Sequence, residues 1–203
     1  MTSFAVVPAA GLSQRMGEPK LLLPWRSERV IDAVLHIWSA SVDQVVVVVR
    51  ADDKRLAEAC CEHDIHLVQP VIAPPTMKDS IKVAVDWINA NFSPLATDSW
   101  LLAPADQPRL SGEVIAGLLA AHERNPKSVK LPIVDGRRGH PVLFPWSAVD
   151  RLPSIPADKG VNALLDQLAV ERLSFDHQEI LDDLDTPDDY RRLIREDGKS
   201  EQA

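Results

Sequence analysis

The stretch that decides the fold is FAVVP, Phe4–Pro8, running directly into AAGLSQRMGEPKLLLPW, Ala9–Trp25. The short aliphatic run reads as a strand buried on both faces. The segment after it, Ala9–Pro19, carries Gly11, Ser13, Gly17 and Pro19 and reads as a loop. Working outward, Val30–Ser39 sets Ile31, Val34, Leu35 and Trp38 at helical spacing. Gln44–Arg50 is a β-branched run, the mark of a second buried strand. Asp52–His63 reads as helix, Ile65–Val68 as extended chain. Met77–Ala90 places Ile81, Val85 and Ile88 on one helical face, and Ser99–Ala103 is another buried strand. Ser111 starts a helix with Glu113 in its first turn and Leu118 and Leu119 inward. Strand alternating with helix predicts an α/β domain whose mostly parallel sheet is joined by crossover helices.

The second half is less regular. Val129–Val134 and Pro141–Phe144 read as strands around a turn at Asp135-Gly136. Asn162–Leu168 reads as helix and Val170–Phe175 as strand. Thr186 caps a last helix, TPDDYRRLIRE, with Pro187 at its first position and Asp188 and Asp189 in its first turn. The expected organisation is one domain, 1–196, followed by a polar tail, 197–203.

Bulk properties narrow the function. A chain of 203 residues with 45% hydrophobic and 26% charged residues suits a single globular domain. Its net charge of −8 argues against non-specific nucleic-acid binding, which needs a positive field. Met1–Ala10 lacks the pattern of a signal peptide, and the longest apolar run, Val45–Val49, is far below a membrane span. Cys60 and Cys61 are adjacent, so a disulfide between them is not expected and a reducing, cytoplasmic setting is. A zinc site of Cys60, Cys61, His63 and His66 is disfavoured, because neighbouring residues on a helix point apart.

The chemistry-bearing residues start in the first loop. In parallel α/β sheets, ligands bind at the carboxyl ends of strands. A loop there holding Gly11 and Gly17 can lay backbone N–H groups on phosphate oxygens, with Arg15 and Lys20 supplying charge. The spacing is neither G-x-x-x-x-G-K-[ST] nor G-x-G-x-x-G. The alternative is a surface loop with two solvated cations. Asp106 follows a buried strand and suits Mg²⁺, which takes one or two carboxylates plus substrate phosphates; the alternative is a turn aspartate before Pro108. Asp183, Asp185 and Thr186 stand where a helix cap would. Gly136–Pro141, GRRGHP, reads as a tight turn or as a ligand loop offering Arg138 and His140.

The string A-A-G-x-S-x-R-M-G-x-x-K-L-L-L-P resembles the signature loop of the MobA-like NTP transferases, and among them the molybdenum cofactor cytidylyltransferases. Four further stretches match in order: Met77-Lys78-Asp79-Ser80, Ala105-Asp106-Gln107-Pro108, Gly136–Pro141 and Asp183–Asp189. The resemblance implies a Rossmann-like three-layer sandwich of the nucleotide-diphospho-sugar transferase type. It implies transfer of CMP from CTP to molybdopterin, with Mg²⁺ as cofactor. It places Lys20, Arg15 and Asp106 in catalysis. Ala9, Ala10, Gly11, Ser13, Arg15, Lys20 and Ser80 hold the nucleotide. Asp106 and Asp185 hold the metal, and Arg138, Gly139, His140 and Pro141 face the acceptor. The AAG form resembles that of the cytidylyl-transferring branch. Implied partners are an NTP, a phosphorylated pterin and, downstream, a molybdoenzyme or its maturation chaperone, with no nucleic acid and no membrane. The chain departs from the pattern at Pro8, at Thr76 and Ala105, where relatives carry glycine, and at Asn162, where many carry arginine. The rival readings are GTP as donor, another phosphorylated acceptor, or a pterin-binding chaperone without transfer activity.

Overall fold

Alternation along the central strands builds the domain. In the computed structural model, which describes the backbone of residues 1–200 and the side chains of 1–197, β1 (Ser3–Pro8) turns Ala5 and Val7 to one face of a sheet and Phe4 and Val6 to the other. The next elements in the chain are β2 (Pro24–Trp25), β3 (Glu28–Arg29), α1 (Val30–Ser41) and β4 (Gln44–Val48). In β4, Val45 and Val47 join the Ala5 side, and Val46 and Val48 the Phe4 side. Both faces are therefore apolar, which is why these strands read as unbroken hydrophobic runs.

The chain continues through α2 (Lys54–Cys60), β5 (His66–Val68), α3 (Met77–Phe92), β6 (Ser99–Leu102), α4 (Gly112–Arg124), β7 (Val129–Val134), β8 (Arg137–Arg138), β9 (Val142–Pro145), β10 (Val170–Ser174) and α5 (Pro187–Ser200). The main sheet has the order β10-β7-β9-β6-β1-β4-β5, with β8 on β7. β1 is parallel to β4 and β6, β4 to β5, and β7 to β10; β9 runs antiparallel to β6 and β7. One face is covered by apolar residues of α1, α2 and α4, the other by α3 and the 3₁₀ segments Trp146–Ser154 and Val161–Asp166. This is the three-layer α/β sandwich expected. Among the described residues, no helix is long and apolar enough to cross a membrane.

Three details depart from the sequence reading. The Asp135-Gly136 turn joins β7 to the two-residue β8, while β9 pairs chiefly with β6. Both turn residues have positive φ, 49° and 74°, which suits a tight hairpin and a glycine at the second position. The expected helix Asn162–Leu168 is a 3₁₀ segment, Val161–Asp166. Its buried residues are Val161 and Leu164, an i,i+3 pair that fits a three-residue turn. The last helix runs on past Glu196, and Asp197 is buried against the Arg26 guanidinium, 2.6 Å from its Nη2. The rest of the expected tail, residues 201–203, lies outside the described residues.

Candidate active site

The loops after β1, β4 and β6 all leave the same edge of the sheet, where the connections diverge to either side of β1. That divergence leaves a crevice. Here it is a cleft of about 730 Å³, walled by Ala9–Arg15, Lys20, Arg50, Pro74–Met77, Ser80, Pro104–Asp106 and Asp185. Every nucleotide-binding candidate of the sequence reading, Ala9, Ala10, Gly11, Ser13, Arg15, Lys20 and Ser80, lines it.

The first loop is shaped by its own backbone. Ser13 and Gly17 have positive φ, 49° and 77°. Met16 and Gly17 N–H donate back to the Ser13 carbonyl at 3.0 and 3.1 Å. The Ser13 hydroxyl accepts from the Lys20 N–H at 3.3 Å, fixing where the lysine leaves the chain. A Cβ at Gly11 would meet nothing within 4 Å, so packing does not demand glycine there.

Lys20 is the hub. Its Nζ donates to an Asp106 carboxylate oxygen, to the Leu184 carbonyl at 3.0 Å and to Asp185 Oδ1 at 3.2 Å. Arg15 grips the same Asp185 from solvent, at 2.8 and 2.9 Å. The other Asp106 oxygen is buried and has no hydrogen-bond partner among the described residues. Burial pushes the Asp106 carboxyl above its ordinary range; Lys20 pulls it back, and Asp183 and Asp185 push it up again.

Asp185 also resolves a choice the sequence leaves open. The cap of α5 is made by Thr186 and Asp189: Thr186 N–H donates to the Asp189 carboxylate at 2.9 Å, and Asp189 N–H to the Thr186 hydroxyl at 3.2 Å. Asp185 faces the cleft instead. It is delivered there by a seam between two loops. Leu184 N–H donates to the Asp106 carbonyl at 3.2 Å, Gln107 Nε2 to Asp183 at 2.7 Å, and Arg109 to Asp182 at 2.8 Å.

The acceptor candidates lie apart from this wall. Arg138 is exposed on β8, and Arg138, Gly139, His140 and Pro141 do not line the cleft. His140 sits on the Gln107 side of Asp106, its Nδ1 3.2 Å from Gln107 Nε2. Burial pushes its imidazole below the ordinary value. Gly139 is required sterically: a Cβ would lie 2.4 Å from Ile180 Cγ1 and 2.8 Å from the Ile180 carbonyl, which accepts the His140 N–H at 2.9 Å. Gly139→Ala should therefore destabilise the fold by about 1–3 kcal/mol. In a thermal melt that is a Tm lowered by several degrees, and an unchanged Tm would show that Ile180 gives way freely.

The departures from the family pattern gain local explanations. Thr76 is the N-cap of α3, its hydroxyl accepting from Asp79 N–H at 3.2 Å, a bond glycine lacks. Ala105 is buried in the cleft wall. Asn162 is exposed and does not line the cleft. Arg50, at the end of β4, is a cleft cation the sequence reading missed; its place right after a buried β-branched strand was the available signal. The cysteine and histidine group does not assemble. Cys60 is buried, Cys61 exposed, His63 meets Asp32 at 2.8 Å and His66 meets Gln44 at 2.7 Å.

Known proteins resemble the whole chain. The family described as the MobA-like NTP transferase domain matches residues 5–173. The molybdenum cofactor cytidylyltransferase of Escherichia coli (strain K12) is 26% identical over 190 residues, 91% of this chain and 92% of that protein. A probable molybdenum cofactor guanylyltransferase of Bacillus cereus (strain AH820) is 30% identical over 141 residues, 68% of this chain and 66% of that protein. Among solved structures, Rv0371c from Mycobacterium tuberculosis H37Rv, in complex with manganese, superposes with a TM-score of 0.75 at 26% identity. That match covers 96% of this chain and 99% of that one.

Proposed function

We propose, on the premise that the chain belongs to the MobA-like NTP transferase family, that it transfers CMP from CTP to a phosphorylated pterin, molybdopterin in the molybdenum cofactor, and releases pyrophosphate. The observation that carries this is the meeting of Lys20, Asp106 and Asp185 at the switch-point cleft. Lys20 and Arg15 would bind the phosphates, and the first loop would hold them in place. A phosphate oxygen of the acceptor attacks the α-phosphorus in line; the bond to the bridging oxygen breaks, and its electron pair leaves with pyrophosphate. A phosphate monoester is already ionised near neutral pH, so the protein's task is positioning and charge stabilisation.

The residues fit a hard divalent cation. Two carboxylates, Asp106 and Asp185, and the Leu184 carbonyl converge, and one buried Asp106 oxygen lacks a partner among the described residues. Mg²⁺, when bound, would neutralise phosphate charge there. Ala9 and Ala10 leave room for a base to lie against backbone near Ser80. Arg138, Gly139, His140 and Pro141 would meet the acceptor on the Gln107 side of Asp106. The product's destination in this reading is a molybdoenzyme or its maturation chaperone.

The AAG form of the loop and the full-length likeness to a cytidylyltransferase support CTP. GTP is the second reading, supported by the likeness to guanylyltransferases. The deciding experiment is magnesium-dependent pyrophosphate release with molybdenum cofactor, comparing CTP, GTP, ATP and UTP. Release with CTP alone is expected. Release with GTP alone would keep the reaction and overturn the base assignment, and no release from folded protein would remove the acceptor.

A further inference from the structure

Lys20 sits at the centre of the oxygen cluster to which the reading above assigns the metal. An ammonium has three N–H donors, and those of Lys20 meet three oxygens: Asp106, Leu184 and Asp185. Its side chain is only 17% exposed. These are hard oxygen ligands of the kind a divalent cation takes. Among the described residues no third His, Cys, Asp or Glu joins Asp106 and Asp185 to make a complete protein-only metal site. Two carboxylates and a carbonyl leave a divalent ion's shell to be completed by substrate phosphates, whereas by themselves they match the three donors of an ammonium.

We propose that Lys20 is the resident counter-ion of this oxygen cluster, and that an NTP opens the metal site by drawing the ammonium onto its phosphates. The inference rests on the nucleotidyl-transfer reading above and adds an order to it. Without nucleotide, a divalent ion must evict the ammonium or settle beside a like charge. A triphosphate changes both terms. It offers Lys20 stronger anionic acceptors, leaves Asp106 and Asp185 as close carboxylates without their shared cation, and supplies phosphate oxygens to complete the shell. Only the side chain needs to move, because the Ser13 hydroxyl holds the Lys20 backbone. Linkage then requires the metal to raise nucleotide affinity by the factor the nucleotide raises metal affinity.

The test titrates Mn²⁺ into the full chain without nucleotide and follows the electron paramagnetic resonance signal of the free ion. Wild type should bind weakly. Lys20→Met and Lys20→Gln should bind at least about tenfold more tightly, with circular dichroism showing both folded. Arg15→Met is the control for simple loss of charge, since among the described residues Arg15 pairs with Asp185 alone and its side chain is 70% exposed. It should gain clearly less than the Lys20 variants. Equal affinity in wild type and the Lys20 variants would overturn the counter-ion role while leaving nucleotidyl transfer standing, because pyrophosphate release tests that separately. An equal gain in Arg15→Met would overturn it as well. No Mn²⁺ binding by the Lys20 variants would overturn both this role and the carboxylate metal site.

Discussion

Asp106→Asn is expected to lower turnover by about 10³-fold, the scale of losing one preorganised charge contact in a closed site. The fold should survive. The side chain keeps its size, the Asp106 carbonyl still accepts from Leu184 N–H, and Lys20 retains Leu184 and Asp185 as acceptors. Replacing the carboxylate also removes a buried charge that Asp183 and Asp185 oppose. Stability should thus hold or rise while activity collapses, a split that a purely structural aspartate would not produce. Turnover is measured by pyrophosphate release at saturating magnesium, and folding by circular dichroism. An active Asp106→Asn would remove Asp106 from the site and with it the central feature of the proposed mechanism.

The second large effect lies far from the cleft. Lys130, in β7, is fully buried, and its Nζ donates to the Asn125 carbonyl at 2.8 Å, the Ser128 hydroxyl at 2.7 Å and the Glu171 carboxylate at 2.6 Å. The ammonium holds the carboxyl of Glu171 below its usual range. Glu171 sits on the edge strand β10, paired with Lys130 in register, so the contact fastens that strand to the sheet. Removing Glu171 is costly because the Lys130 ammonium stays charged and buried, whereas the Glu171 side chain is 38% exposed and is solvated once Lys130 is gone. Lys130→Ala adds a cavity. It should cost about 3 kcal/mol, or roughly 6–12 °C in Tm for a chain of this size. Glu171→Ala should also be destabilising, since it strands the buried ammonium. The double variant Lys130→Met, Glu171→Met should be more stable than Glu171→Ala alone, because it removes the stranded charge. If Glu171→Ala leaves Tm unchanged, the Lys130 ammonium has another route to water.

Local chemistry made most of the architecture legible. Val45–Val49 and FAVVP are strands because β-branched and aliphatic runs fit a sheet covered on both faces, and their alternate residues do divide between two cores. The starts of α4 and α5 were readable because caps are local: Ser111, and Thr186 with Asp189, bond to backbone three residues away. The pairing of β9 was not readable. The Asp135-Gly136 turn is a hairpin signal, but a two-residue β8 satisfies it, and β9 finds its main partner in β6 about forty residues upstream.

The sequence by itself determined an α/β sheet with a loop of glycines and cations at the end of its first strand, and the family to which that loop belongs. It did not reveal Lys130 as interior, because a lysine in a strand ordinarily points to solvent and only Asn125, Ser128 and Glu171 together make its burial possible. Nor did it separate a capping Asp185 from one that faces the cleft. Tertiary structure decided that, by bringing Asp185 across 165 residues of chain to Lys20 and Asp106. Periodicity and capping are written in neighbouring residues. Which charges share a site depends on where distant strands end, and that is settled only when the sheet is assembled.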